Sequence, residues 1–165
     1  MISSKEKLVQ QALDFLTEIG ISAEKALLTD TEFLPGLKVY KGKILYDENR
    51  LLYPGDILHE AGHIAITPKV ERTKIGTAKM AKDWPSEGDE IATICWSYAA
   101  AKHIDFPIEA LFHDNGYKND ALWLKEQFLN GSYIGLPLLE WMGLCESQSE
   151  SDFEAFPKMK KWLRD

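Results

Sequence analysis

Two prolines bracket the stretch that constrains this chain most. Pro54-Gly55-Asp56 can open a helix, Pro68 prevents its continuation, and between them stands His59-Glu60-Ala61-Gly62-His63. These signals predict a short helix from Ile57 to Ile66 with Asp56 as its N-cap. On a helix, positions i and i+4 lie one above the other, so His59 and His63 can aim their imidazoles at one ion. Glu60 is offset by one residue and cannot easily reach the same ion. It can instead hold a water beside that ion and act as general base. Ile57, Leu58, Ala61, Ile64 and Ala65 supply the buried side of the helix. The pattern favours a metal centre over two unrelated histidines on an ordinary helix.

Two imidazoles plus a carboxylate suit one zinc ion, with a fourth position left open. Position 66 is Ile and position 69 is Lys, so the longer HExxHxxGxxH spacing is excluded. His103 and His113 stand in no ligand motif. The candidates for a third ligand are Glu87, Asp89 and Glu90, at the start of a strongly apolar stretch. A carboxylate at Glu90 is costly to bury unless it is paired or bound to a cation. Glu87, one turn earlier on the same face, is the runner-up or a partner for a ligating imidazole. All three acids also complement a helix N-terminus, which is the simpler reading.

HEAGH followed 27 positions after His63 by Glu90-Ile91-Ala92 resembles the small glutamate-zincin metallopeptidases of bacteria. The layout is most similar to the soluble ImmA/IrrE-type domains, over roughly residues 37–103. The resemblance implies a minimal zincin fold with a short sheet beside the active-site helix. It implies His59, His63 and Glu90 as zinc ligands, Glu60 as catalytic base, and a peptide or protein substrate. Ala61 stands where that family commonly has a bulky aliphatic residue, and residues 104–165 match no part of it. In zincins an edge strand binds the extended peptide by strand addition. Lys43 to Tyr46 is the candidate edge here. Tyr117, His113 and Tyr133 are available in loop contexts as donors to a developing oxyanion, with nothing to choose between them.

Charge and composition narrow the partners. The 165 residues carry 26 Asp+Glu against 19 Lys+Arg, a net charge of −7, which argues against nucleic acid or an anionic membrane as main partner. No basic start leads into an apolar run, so no secretory signal is visible. The apolar stretches Ile91–Ala101 and Ile134–Leu139 fall short of the roughly 20 residues of a membrane span. Cys95 and Cys145 form no CxxC pair and read as buried thiols in a reducing compartment. The expectation is a soluble, cytoplasmic protein.

The rest of the chain reads as α+β, mainly helical, with a small antiparallel sheet flanking the HExxH helix. A helix capped by Ser3 or Ser4 runs to about Glu18, and Ala23 to Leu28 suggests a short second one. Leu37–Tyr40, Lys43–Tyr46 and Leu51–Tyr53 read as a three-segment meander. Residues 67–86 are polar, either a functional loop or partly disordered. Helices are expected at 86–103, 120–128, 137–144 and 157–163, the last a basic face of Lys158, Lys160, Lys161 and Arg164. Glu146 to Glu154 reads as a solvated acidic loop. Trp84, Trp96, Trp123, Trp141 and Trp162 read as core packing. One domain over 1–165 is expected, with 37–103 as the metal-site core and 104–165 as a helical C-terminal part. A non-catalytic metal-binding or interaction module on the same helix pair is the alternative to an enzyme.

Overall fold

Two helices meet at a glycine. In the computed structural model, which describes residues 1–146 and 155–165, α2 (Gly55–Ile66) lies against α3 (Glu87–His103). A Cβ placed on Gly62 would stand 2.9 Å from Thr93 Cγ2 and 3.1 Å from Trp96 Cε3. Only a bare Cα allows that approach, and it sets the distance between the histidines of α2 and the acidic first turn of α3. α3 is the central helix: Ala92, Thr93, Cys95 to Ala101 are all buried along it. Ser86 and Asp89 cap its start reciprocally, so Asp89 is committed to the backbone.

α1 (Ser4–Ile19) packs on the other side of this pair, burying Ala12, Phe15 and Leu16. Ser3 is its cap, completed by Glu6, and Gly20 closes it in the left-handed conformation. β1 (Ala23–Lys25), β2 (Leu37–Tyr40) and β3 (Lys43–Tyr46) form one sheet in the order β1-β3-β2. β2 and β3 pair antiparallel across Lys41 and Gly42, both at positive φ, while β1 runs parallel to β3. The sheet is therefore mixed. Ala23 begins a strand rather than the expected helix, and Leu51–Tyr53 is not a strand. Ser22 and Ala26 exchange backbone hydrogen bonds with Ile44 and Tyr46, and this pairing outweighs the weak local preference of Ala-Glu-Lys. β3 is consequently the central strand and not an edge. The free edges belong to β1 and β2.

After α3 come α4 (Ile108–Leu111), a left-handed 3₁₀ turn at Tyr117–Asn119, α5 (Ala121–Leu129) and α6 (Leu136–Trp141). The last two match the helices expected near 120–128 and 137–144. The 67–86 connection is pinned rather than loose. Ile75 is buried, its carbonyl accepts from Lys41 N–H at 2.7 Å, and Trp84 Nε1–H donates to Thr67 Oγ1 at 3.2 Å. Cys95 and Cys145 are both buried and unbonded, and burial raises both thiols, Cys145 to about 12. Trp96 is fully buried as expected, whereas Trp123 and Trp141 are exposed.

No helix forms over 157–163. The segment instead crosses back over α2 and α3, with Trp162 packed 5.0 Å from the Phe15 ring and its carbonyl accepting from Trp96 Nε1–H at 2.9 Å. It also finishes α2, whose last four carbonyls have no partners within the helix. His63 O accepts from Thr67 Oγ1 (2.6 Å), Ile64 O from Arg72 Nε (3.2 Å), and Ile66 O from Arg164 Nη1 (3.2 Å). Ala65 O accepts from the Arg164 backbone N–H at 2.9 Å. These contacts outweigh the helical pattern of the basic run. The acidic stretch expected as a loop lies, beyond Glu146, outside the described residues. Among the described residues, no helix is long and apolar enough to cross a membrane.

Candidate metal centre

His59 and His63 occupy successive turns of α2, their rings nearly perpendicular with centroids 4.9 Å apart. Glu90, in the first turn of α3, reaches between them. Its Oε1 lies 2.8 Å from His59 Nε2 and its Oε2 lies 3.1 Å from His63 Nε2. One ligand atom from each of the three residues falls within 4.8 Å of the others, so the cluster could hold a metal ion. Glu87, one turn earlier on the same strip, is exposed and does not join it. The His59 and His63 side chains are 13% and 5% exposed and Glu90 is 42% exposed, so the cluster is rooted in the core and open on the Glu90 side.

Burial and charge act against each other throughout the site. Burial disfavours the Glu90 carboxylate, but the hydrogen bonds and charges of His59 and His63 prevail and hold it far below the usual carboxylate range. Burial likewise disfavours charge on His59, and the Glu90 hydrogen bond, with the Glu60, Glu90 and Asp56 charges, raises it nonetheless. Glu60 makes neither of the cluster's ion pairs. Burial pushes its carboxyl up, against a smaller opposing pull from His63 and His59. A carboxyl moved towards neutrality beside two imidazoles is suited to accept and release a proton.

The donor set fits a metal on its own chemistry. His63 Nδ1 lies 3.2 Å from Thr93 Oγ1, which leaves Nε2 to face the cluster. Trp84 packs edge-on against the same ring at 5.6 Å. Two imidazoles and a carboxylate match zinc and other first-row divalent ions. Thr93 and Trp84 escaped the sequence reading. Thr93 carried a signal, since it stands three residues after Glu90 on the same face of a helix, but Trp84 carried none.

Of the loop candidates for an oxyanion donor, Tyr117 lies edge-on to His59 at 5.5 Å. His113 is bound elsewhere, Nε2–H donating to Asp56 Oδ1 at 2.7 Å. Tyr133 packs among Tyr98, Phe128 and Phe156. Asp56 lies inside the first turn of α2 and caps nothing; Pro54 holds the cap position without a side-chain hydrogen bond. Compared with models of known families, with curated proteins and with solved structures, the chain matches none.

Proposed function

We propose that this chain is a zinc-dependent hydrolase, a metallopeptidase acting on a peptide or protein. One observation carries the reading: His59, His63 and Glu90 converge within 4.8 Å while Glu60 remains unpaired beside them. His59 Nε2, His63 Nε2 and a Glu90 carboxylate oxygen would hold the ion. When bound, zinc supplies Lewis acidity, polarising a carbonyl and lowering the pKa of water. Glu60 takes the proton of the attacking water and returns it to the leaving amine nitrogen. The acidic surface suits a peptide partner rather than nucleic acid, and two free buried thiols suit the cytoplasm.

The purified chain should bind close to one equivalent of zinc, measured by metal analysis after chelator-free purification. His59→Ala, His63→Ala or Glu90→Ala should each remove it. Glu60→Gln should keep the zinc and lose cleavage of a broad peptide library. A wild type without zinc overturns the metal reading, and equal cleavage by wild type and Glu60→Gln overturns the catalytic one. One observation favours a second, non-catalytic reading: Glu90 already joins both histidines directly, at 2.8 and 3.1 Å, and so ties α2 to α3 unaided. On that reading, with zinc or with no metal, no peptide is cut by either protein.

A further inference from the structure

Among the described residues, three buried side-chain polar atoms have no hydrogen-bond partner: His59 Nδ1, His113 Nδ1 and Tyr117 Oη. They belong to one neighbourhood. The Tyr117 ring stands 5.5 Å from His59 and 6.4 Å from His113, in both cases edge-on. Buried polar atoms are rarely left unpaired, so three together mark one polar neighbourhood that needs an acceptor.

Asp56 is at the centre of that neighbourhood. It precedes His59 by three residues on α2, which puts both side chains on one face. It is buried, and only one of its oxygens is engaged, Oδ1 with His113 at 2.7 Å. After burial, its charge is the largest influence raising the Tyr117 hydroxyl, and it also acts on His59. The hydrogen-bonding influence on Tyr117 comes from Ser97, which already donates to Ile94 O at 2.8 Å, and it is the smallest of these effects. The His113 ring is itself fixed, stacked 4.1 Å from Tyr53 on one face, while a Cβ on Gly116 would come within 3.1 Å of it.

Considerable backbone strain accompanies this placement. Tyr117, Lys118 and Asn119 have φ of 57°, 53° and 72°, three successive left-handed residues without a glycine. Such conformations persist where the surrounding structure enforces them, and they concentrate at functional sites. The strained turn brings the Tyr117 ring edge-on to His59.

We propose that Asp56 and Tyr117 are positioning residues for the His59 ligand: when the site is loaded, Asp56 Oδ2 would take up the His59 Nδ1–H and the Tyr117 Oη–H that otherwise stand unpaired, with His113 holding Asp56 in place. The inference rests on the metal-centre reading. It gives His59 the outer partner that Thr93 already gives His63, and a ligating imidazole needs one to fix its tautomer and orientation.

The test uses the full chain loaded with zinc. Affinity is read by competition against a chromophoric chelator, and the imidazole protons by long-range ¹H–¹⁵N spectra. Asp56→Ala should weaken zinc binding about 10- to 100-fold, and Asp56→Asn, which keeps an acceptor, should restore part of the loss. Tyr117→Phe should weaken binding in the same direction. In both Asp56→Ala and Tyr117→Phe the His59 Nδ1–H signal should shift and exchange faster, with the His63 signal unchanged. Affinities within two-fold of wild type with an unaltered His59 signal overturn the proposal. Should Asp56→Ala fail to fold, Tyr117→Phe, which removes a single oxygen, decides alone. A wild type that binds no zinc overturns the metal reading and this inference together; a wild type that binds zinc as tightly as its variants overturns only the inference.

Discussion

Gly62→Ala isolates the contact on which the helix pair depends. In a helix interior the change ordinarily stabilises by about 1 kcal/mol, because glycine is the poorer helix former. Here the new methyl would meet Thr93 Cγ2 at 2.9 Å, Trp96 Cε3 at 3.1 Å and Thr93 O at 3.2 Å. Carbon pairs prefer about 3.5–4.0 Å, so the overlap is about half an ångström at two points. Trp96 cannot yield, being fully buried and packed between Phe15 and Trp162. Overpacking of this kind costs about 1–3 kcal/mol, and where the neighbours are this fixed the upper half of that range applies. The net expectation is a loss of about 1–2 kcal/mol, which lowers Tm by roughly 2–8 °C for a chain of this size. Thermal unfolding of the apo protein by circular dichroism measures it. Gly88→Ala is the control, since its nearest neighbour is Ser86 Oγ at 3.8 Å; relief of glycine's entropy should stabilise it by about 0.5 kcal/mol. A Gly62→Ala protein melting at or above wild type refutes the argument.

Two further predictions concern parts of the fold away from the metal centre. Asp47 accepts backbone N–H bonds from Leu28 (3.0 Å) and Asn49 (3.1 Å), and chiefly the first of these lowers its pKa. A lowered folded pKa stabilises above the ordinary carboxylate value near 4 and loses that contribution as pH falls through the folded value. Asp47→Asn should therefore show a shallower fall in Tm below about pH 4 than wild type; identical slopes refute this. Trp162→Ala removes a half-buried ring held among Phe15, Trp96 and His103 and should cost about 2 kcal/mol, below the figure for a fully buried aromatic. Denaturant titration checks it, and a midpoint equal to wild type's refutes the account of the C-terminal segment.

The helices were legible because their signals are local. Ser3 with Glu6 and Ser86 with Asp89 are caps written in four residues, and α2 lies between two prolines. Glu90 was legible to within one turn: periodicity put Glu87 and Glu90 on one strip, and only the Gly62 contact shows which of them α2 meets. β1 was not legible, since Ala-Glu-Lys acquires its conformation from β3, 21 residues away. The C-terminal run misled for the same reason, because Trp162 and Arg164 find better partners on α3 and α2 than in a helix of their own. From its place after Pro-Gly, Asp56 reads as a cap. Its actual partner, His113, is 57 residues distant, and no motif announces the pairing.

The finishing of α2 by Arg164 has a consequence for the order in which the molecule can be made. The helix that carries the histidines leaves the ribosome about a hundred residues before the arginine that satisfies its Ala65 and Ile66 carbonyls. A growing chain can wind α2 early and satisfy His63 and Ile64 from Thr67 and Arg72, yet the Ala65 and Ile66 carbonyls wait for residue 164. The last turn of the helix that carries His63 is therefore closed by a residue that emerges long after the histidines themselves.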